Sequence, residues 1–190
     1  MGKVVLYFSM SLDGFVTGPS VSADHPMGEG GERLHQWMFG NVAADDAQIL
    51  AQASKAVGAV VLGSRTFDIG VDLWGDTPYP VPSFVLGHEA RAPLVMKSAS
   101  FTFVTDGVES AIAQAKAAAG DRDVVIMGAC TAQQALASGL ADELRLQVIP
   151  VLLGGGSRLF DNLGPEHIEL IRTRVVASAS VTHMDFEIVR

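Results

Sequence analysis

FTFVTDGVESAIAQAKAAAGDRDVVIMGACTAQQALASG, residues 101 to 139, reads as two short strands, each handed on to a helix. The apolar run 101–105 stops at Asp106, and Glu109 stands three residues on, the spacing of a reciprocal helix cap. ESAIAQAKAAA follows with helix-forming residues, and Gly120 closes it as a left-handed stop. DVVIM (123–127) is a second strand of β-branched and apolar residues, and TAQQALAS runs to another closing glycine, Gly139. Strands separated by helices predict a largely parallel sheet with helices on both faces.

The same alternation extends outward. KVVLYFSM (3–10) is a strand, and NVAADDAQILAQASKAV (41–57) is helical, with Asn41 or an early aspartate at its start and Gly58 beyond its end. AVVLG (59–63) and SFVLG (83–87) are further short strands. ELRLQVIPVLL gives an extended segment interrupted by Pro150, and the tail IELIRTRVVASASVTHMDFEIV reads as two long strands meeting around residues 177 to 179. Such a strand pair predicts an antiparallel addition at one sheet edge. Residues 17 to 33, TGPSVSADHPMGEGGER, are the loosest stretch, either a flap over a site or a solvated loop. No repeat or long linker divides the chain, so one domain over residues 1–190 is expected.

The 190 residues are 48% hydrophobic and 18% charged, enough for a sizeable core, and the 20 glycines imply many tight turns. A formal net charge of −8 disfavours nucleic acid or an anionic membrane as the main partner, so an anionic ligand needs a local basic site. Cys130 is the single cysteine, which excludes an internal disulfide or a cysteine-rich zinc site, and the histidines show no metal-ligand spacing. The N-terminal apolar run is too short for a signal peptide or a membrane span, and a cytoplasmic protein is expected.

Three turns place glycine or polar residues directly between a strand and a helix: Gly63 to Thr66, Asp106-Gly107, and Gly128 to Thr131. In open α/β sheets ligands settle at the carboxyl ends of strands, where helix N-termini offer free N–H groups to anions. Neither G-x-G-x-x-G nor G-x-x-x-x-G-K-[ST] occurs after a strand. In AVVLGSRTFD (59–68), Ser64 either caps the helix or joins Arg65 and Thr66 in binding a phosphate.

MSLDGFV (10–16), VVLGSRTFD (60–68), FVLGHEARAPLVM (84–96), FTFVTDGVESAIAQA (101–115) and TAQQALASGLADELRLQVIPVLLGGGSRLF (131–160) together resemble the dihydrofolate-reductase-like family that includes the reductase domain of riboflavin biosynthesis. The resemblance implies a three-layer α/β fold, a mostly parallel sheet with an antiparallel C-terminal edge, NADPH as hydride donor, a small heterocyclic substrate and a homodimer. Carried over by position, it assigns Gly63, Ser64, Arg65 and Thr66 to the adenosine 2′-phosphate, with His88 near the adenosine. It assigns Gly128, Ala129, Cys130 and Thr131 to the diphosphate, and Gly154 and Gly155 to a loop near the nicotinamide.

The sequence departs from the family pattern at three places. Arg65 stands one position later than the family's arginine, Met127 occupies a position where the family has glycine, and Phe15 replaces a lysine. The Met127 substitution keeps open a non-catalytic paralogue that only binds a small ligand or nucleotide. For Asp13 the readings are proton donor to the reduced substrate or shaper of an Asp-Gly turn. Trp37 either stacks on a flat heterocycle or belongs to the core. Cys130 is either a reactive thiol at a helix N-terminus or a buried inert one.

Overall fold

The computed structural model describes residues 2–39 and 42–189. In chain order these form strands β1 (Val4–Ser11) and β2 (Phe15–Thr17), helix α1 (Ala44–Ala56), strand β3 (Val57–Gly63), helix α2 (Ser64–Trp74), and strands β4 (Ser83–Leu86), β5 (Leu94–Val95) and β6 (Ser100–Val104). Helix α3 (Val108–Ala119), strand β7 (Asp123–Met127), helix α4 (Ala129–Ala137) and strands β8 (Glu143–Ile149), β9 (Ser157–Arg158), β10 (Leu170–Ala177) and β11 (Thr182–Ile188) complete the chain. Short 3-10 turns cover Gly31–Leu34 and Gln36–Met38.

Nine strands build one sheet in the order β10-β11-β8-β1-β7-β3-β4-β6-β5, while β2 and β9 pair separately. The strands from β8 to β6 are parallel to their neighbours. β11 and β10 add antiparallel at one edge, as expected for the tail, and the short β5 does so at the other. The central strands read as unbroken apolar runs because both their faces are covered. Val4, Leu6, Ala59, Val61, Val124 and Ile126 pack on one face beneath α3 and α4. Val60, Leu62 and Val85 point to the other face, where Phe67 of α2 meets Phe101 and Phe103 edge-on. A smaller cluster of Leu34, Trp37, Ile149 and Val181 fills the space under the 3-10 turns and α1.

Several local expectations are corrected. Asn41 lies outside the described residues, and α1 starts after Ala43 with no side-chain cap among the described residues. Asp46, one of the two early aspartates of this helix, is fully buried and bonds His183 Nε2 at 2.9 Å and the Ser178 hydroxyl at 2.9 Å. The Asp106 cap is not made, because Gly107 is the N-cap of α3, and Ser64 does not cap α2, because Gly63 is its N-cap.

Candidate active site

β3 and β7 are adjacent and parallel, yet α2 leaves β3 on one face of the sheet and α4 leaves β7 on the other. A crevice therefore opens between the two helix starts, at the strand ends where α/β proteins bind ligands. A cavity of about 490 Å³ occupies this position. It is lined by Tyr7, Phe8 and Ser9 of β1, by Met127, by one side of α2 and by the first turn of α4.

The two helix starts interlock. A Cβ built on Gly63 would lie 3.0 Å from Thr131 Oγ1, and one on Gly128 would lie 2.6 Å from Thr66 Oγ1. Each threonine thus sits over the glycine of the opposite turn, and Gly128 also has φ +91°, a conformation few side chains tolerate. Neither helix has a side-chain cap among the described residues, which leaves backbone N–H groups of both first turns for a ligand. Arg65 is exposed, and its Nη2 donates to the Val21 carbonyl at 3.3 Å.

Val21 belongs to the glycine- and proline-rich segment 17–33. This segment is folded on itself: Gly18 N–H donates to Met27 O at 2.8 Å and Glu29 N–H to Pro19 O at 2.8 Å. Gly18 and Gly28 make the closure possible, since a Cβ on either would run into backbone within 2.3 Å. Val21, Pro26 and Met27 line the cavity, so the segment is a lid, held by Arg65 at its rim. Along the opposite wall, Thr66, Ile69, Gly70, Leu73 and Trp74 share one face of α2. Gly70 gives the Trp74 indole room, because a Cβ there would meet the ring at 2.3 Å.

Of the residues singled out in the sequence, the cavity brings together Gly63, Arg65, Thr66, Gly128, Ala129, Cys130 and Thr131. The Cys130 thiol is exposed rather than buried, with Gln134 Nε2 at 3.5 Å. Met127 is a regular strand residue opposite Leu62, and its side chain packs with the α2-side cluster. Ser64 lies against Gly87, and His88 is exposed; neither lines the cavity.

Asp13, Gly154 and Gly155 are also outside the lining. The Asp13 carboxylate accepts the N–H groups of Leu153 at 3.1 Å and Gly154 at 2.8 Å. The Ser11 hydroxyl, with these two donors, lowers its pKa to about 2, so it is ionised and shapes the 153–156 loop instead of storing a proton. That loop braces the start of the lid: Gly156 packs on the Thr17 carbonyl, and Ser157 N–H donates to Thr17 Oγ1 at 3.3 Å. Trp37 is a core residue, 3% exposed, edge-on to His183, with Nε1 donating to Ser9 Oγ at 3.0 Å.

Sequence reasoning missed Tyr7, Ser9 and His35. The signal was present for the first two: polar residues two apart in an apolar strand share one face. Burial raises the Tyr7 phenol above its ordinary pKa and lowers the His35 imidazole below its own, the Gly31 carbonyl opposing the latter. Tyr7 Oη is buried and has no hydrogen-bond partner among the described residues.

A model of the RibD C-terminal domain matches residues 2–184. The chain belongs to that family. A putative riboflavin biosynthesis protein from Shewanella sp. PV-4 is 25% identical over 99% of both chains, with a TM-score of 0.77. A pyrimidine reductase-like protein from Corynebacterium diphtheriae is 14% identical, covering 100% of this chain and 92% of its own, with a TM-score of 0.66. A diaminohydroxyphosphoribosylaminopyrimidine deaminase/5-amino-6-(5-phosphoribosylamino)uracil reductase from Thermotoga maritima is 13% identical, with a TM-score of 0.66; the match covers 99% of this chain and 57% of that one. The last two similarities establish the fold alone. No curated protein matches. The RibD C-terminal fold is the dihydrofolate-reductase-like α/β arrangement described above, with its mostly parallel sheet and antiparallel edge.

Proposed function

We propose that this RibD C-terminal domain is a reductase that uses NADPH to reduce a small planar heterocycle. The observation that carries the reading is the crevice itself. Two uncapped helix starts, two turn glycines, two threonine hydroxyls and one guanidinium open into a single cavity. A dinucleotide phosphate needs this donor set, because helix N–H groups receive anions and a cation distinguishes a 2′-phosphate from a hydroxyl. Family membership and relatives named as reductases support the reaction class.

In this reading Arg65 and Thr66 hold the 2′-phosphate, and the first-turn N–H groups of Ala129, Cys130 and Thr131 hold the diphosphate. When bound, NADPH supplies a hydride from nicotinamide C4. The protein contributes orientation and dryness: the lid and the α2 wall cover the reacting groups, and Asp13 keeps the 153–156 loop under the lid's first residues. No described helix is long and apolar enough to cross a membrane, and the exposed free Cys130 suits a reducing cytoplasmic setting.

A homodimer is part of the proposal. β10 ends the sheet with an unpaired outer edge and exposes Leu170, Ile171 and Val175. Such an edge invites association unless another chain covers it. The reductase reading is tested by titrating NADPH while following tryptophan emission, since Trp74 lines the cavity. Saturable energy transfer to the reduced nicotinamide, one site per chain, is expected; its absence for both NADPH and NADH would overturn the reading.

A further inference from the structure

The part of the cavity away from the helix starts is apolar. Ile69, Leu73 and Trp74 of α2 and Val21, Pro26 and Met27 of the lid line it. Among the described residues of the lining, Arg65 is the only Lys or Arg, and there is no Asp or Glu. Arg65 already bonds Val21, and the reductase reading commits it to the cofactor. Phe15, where the resemblance expects a lysine, lies under the Arg158 guanidinium at 4.5 Å, and neither residue lines the cavity. A second phosphate buried here would find no counter-charge, and an unpaired buried anion is strongly disfavoured.

Of the polar side chains that remain in the lining, Thr17 lies at the start of the lid, where its Oγ1 accepts from Ser157 N–H. Tyr7 and Ser9, two residues apart, share a face of β1, and His35 joins them in the lining. Among the described residues Tyr7 Oη has no partner, and the His35 imidazole has the Gly31 carbonyl as its one polar neighbour. Ser9 Oγ accepts from Trp37 Nε1, and an indole N–H only donates, so the serine's own proton is left to give to something else. Buried polar atoms without partners are rare in a folded protein and call for a ligand that pairs them. The burial that holds Tyr7 and His35 in their neutral forms makes this an edge of hydrogen-bonding dipoles without charge.

We infer that the substrate is an uncharged, flat, mainly apolar carbonyl or imine compound without a phosphate, held along its polar edge by Tyr7, Ser9 and His35. The inference rests on the reductase reading for the reaction but not for binding. In that reaction the C=O or C=N carbon takes the hydride and its heteroatom takes a proton from solvent. The bond becomes CH–OH or CH–NH, and NADPH leaves as NADP⁺.

Calorimetric titration of the full chain, with NADP⁺ added to fill the crevice's own phosphate donors, tests this with two probes of closely related ring systems. Lumichrome is uncharged and flat; flavin mononucleotide carries a phosphate on a related ring. Lumichrome is expected to bind at least roughly tenfold more tightly, and Tyr7→Phe and Ser9→Ala each to weaken it roughly three- to tenfold. Tyr7→Phe removes only an unpartnered hydroxyl, so loss of folding does not confuse the result. Equal or tighter binding of flavin mononucleotide, no binding of lumichrome, or indifference to both variants would overturn the inference. An NADPH titration run beside it separates the two claims: lumichrome binding without NADPH binding refutes the reductase alone, and the reverse refutes the substrate class alone.

Discussion

Replacing Arg65 with alanine separates a phosphate-binding guanidinium from a surface cation. The side chain is exposed, and its hydrogen bond is to one neutral acceptor, the Val21 carbonyl at 3.3 Å. A charge-assisted bond to a phosphate is worth roughly 1.5 to 3 kcal/mol. Solvent screening and the competing Val21 bond reduce that to about 1 to 2 kcal/mol, or about five- to thirtyfold in affinity. The assay is calorimetry of wild type and Arg65→Ala with NADPH and with NADH. NADPH binding should weaken by that factor, NADH binding should change less than about twofold, and the NADPH deficit should shrink as salt is raised. Equal weakening of both nucleotides would refute the 2′-phosphate assignment and point to the lid, which loses its Arg65 bond in the variant. No change for either would return Arg65 to the solvated surface.

Gly128→Ala should cost about 1 to 3 kcal/mol, roughly 3 to 10 °C in Tm by calorimetry, because φ +91° and a Cβ 2.6 Å from Thr66 Oγ1 both oppose a side chain. An unchanged Tm would mean that the helix starts are not interlocked. His35 titrates below its ordinary 6.5 because it is buried. The unfolded chain therefore takes up the proton first as pH falls, and stability present above about pH 6.5 declines below it. Thermal melts from about pH 7 to about pH 5 should show this fall, and His35→Gln should flatten it. Ile171→Arg on the exposed edge of β10 should shift a dimer toward monomer in sedimentation, and a monomeric wild type at micromolar concentration would contradict the dimer.

The alternation of strands and helices was legible because β3, β4 and β7 are buried on both faces and so are written as short apolar runs. The crevice at the two helix starts was legible for a related reason: glycine followed by hydroxyls or a cation directly after such a run has few structural uses. The lid was legible only as one of two alternatives, flap or solvated loop. Its closure depends on backbone contacts, such as Gly18 on Glu29 and Gly156 on Thr17, whose partners lie up to most of the chain apart. The caps misled because Asp106 and Ser64 have the right residue type, while glycines at the actual N-cap positions took over. Residue type also fails to separate roles for Trp37, whose indole is as useful in a core as on a ligand. The same holds for Asp46, whose partner His183 stands 137 residues away.

The central claim is that the crevice between α2 and α4 is the NADPH site of a reductase. A crystal structure of the chain with saturating NADP⁺ tests it most directly. The 2′-phosphate is expected within hydrogen-bonding distance of Arg65 and Thr66, and the diphosphate on the first-turn N–H groups of α4. The nicotinamide should reach into the cavity under the lid. A dinucleotide bound elsewhere on the chain, or a crevice holding only solvent at saturation, would contradict it.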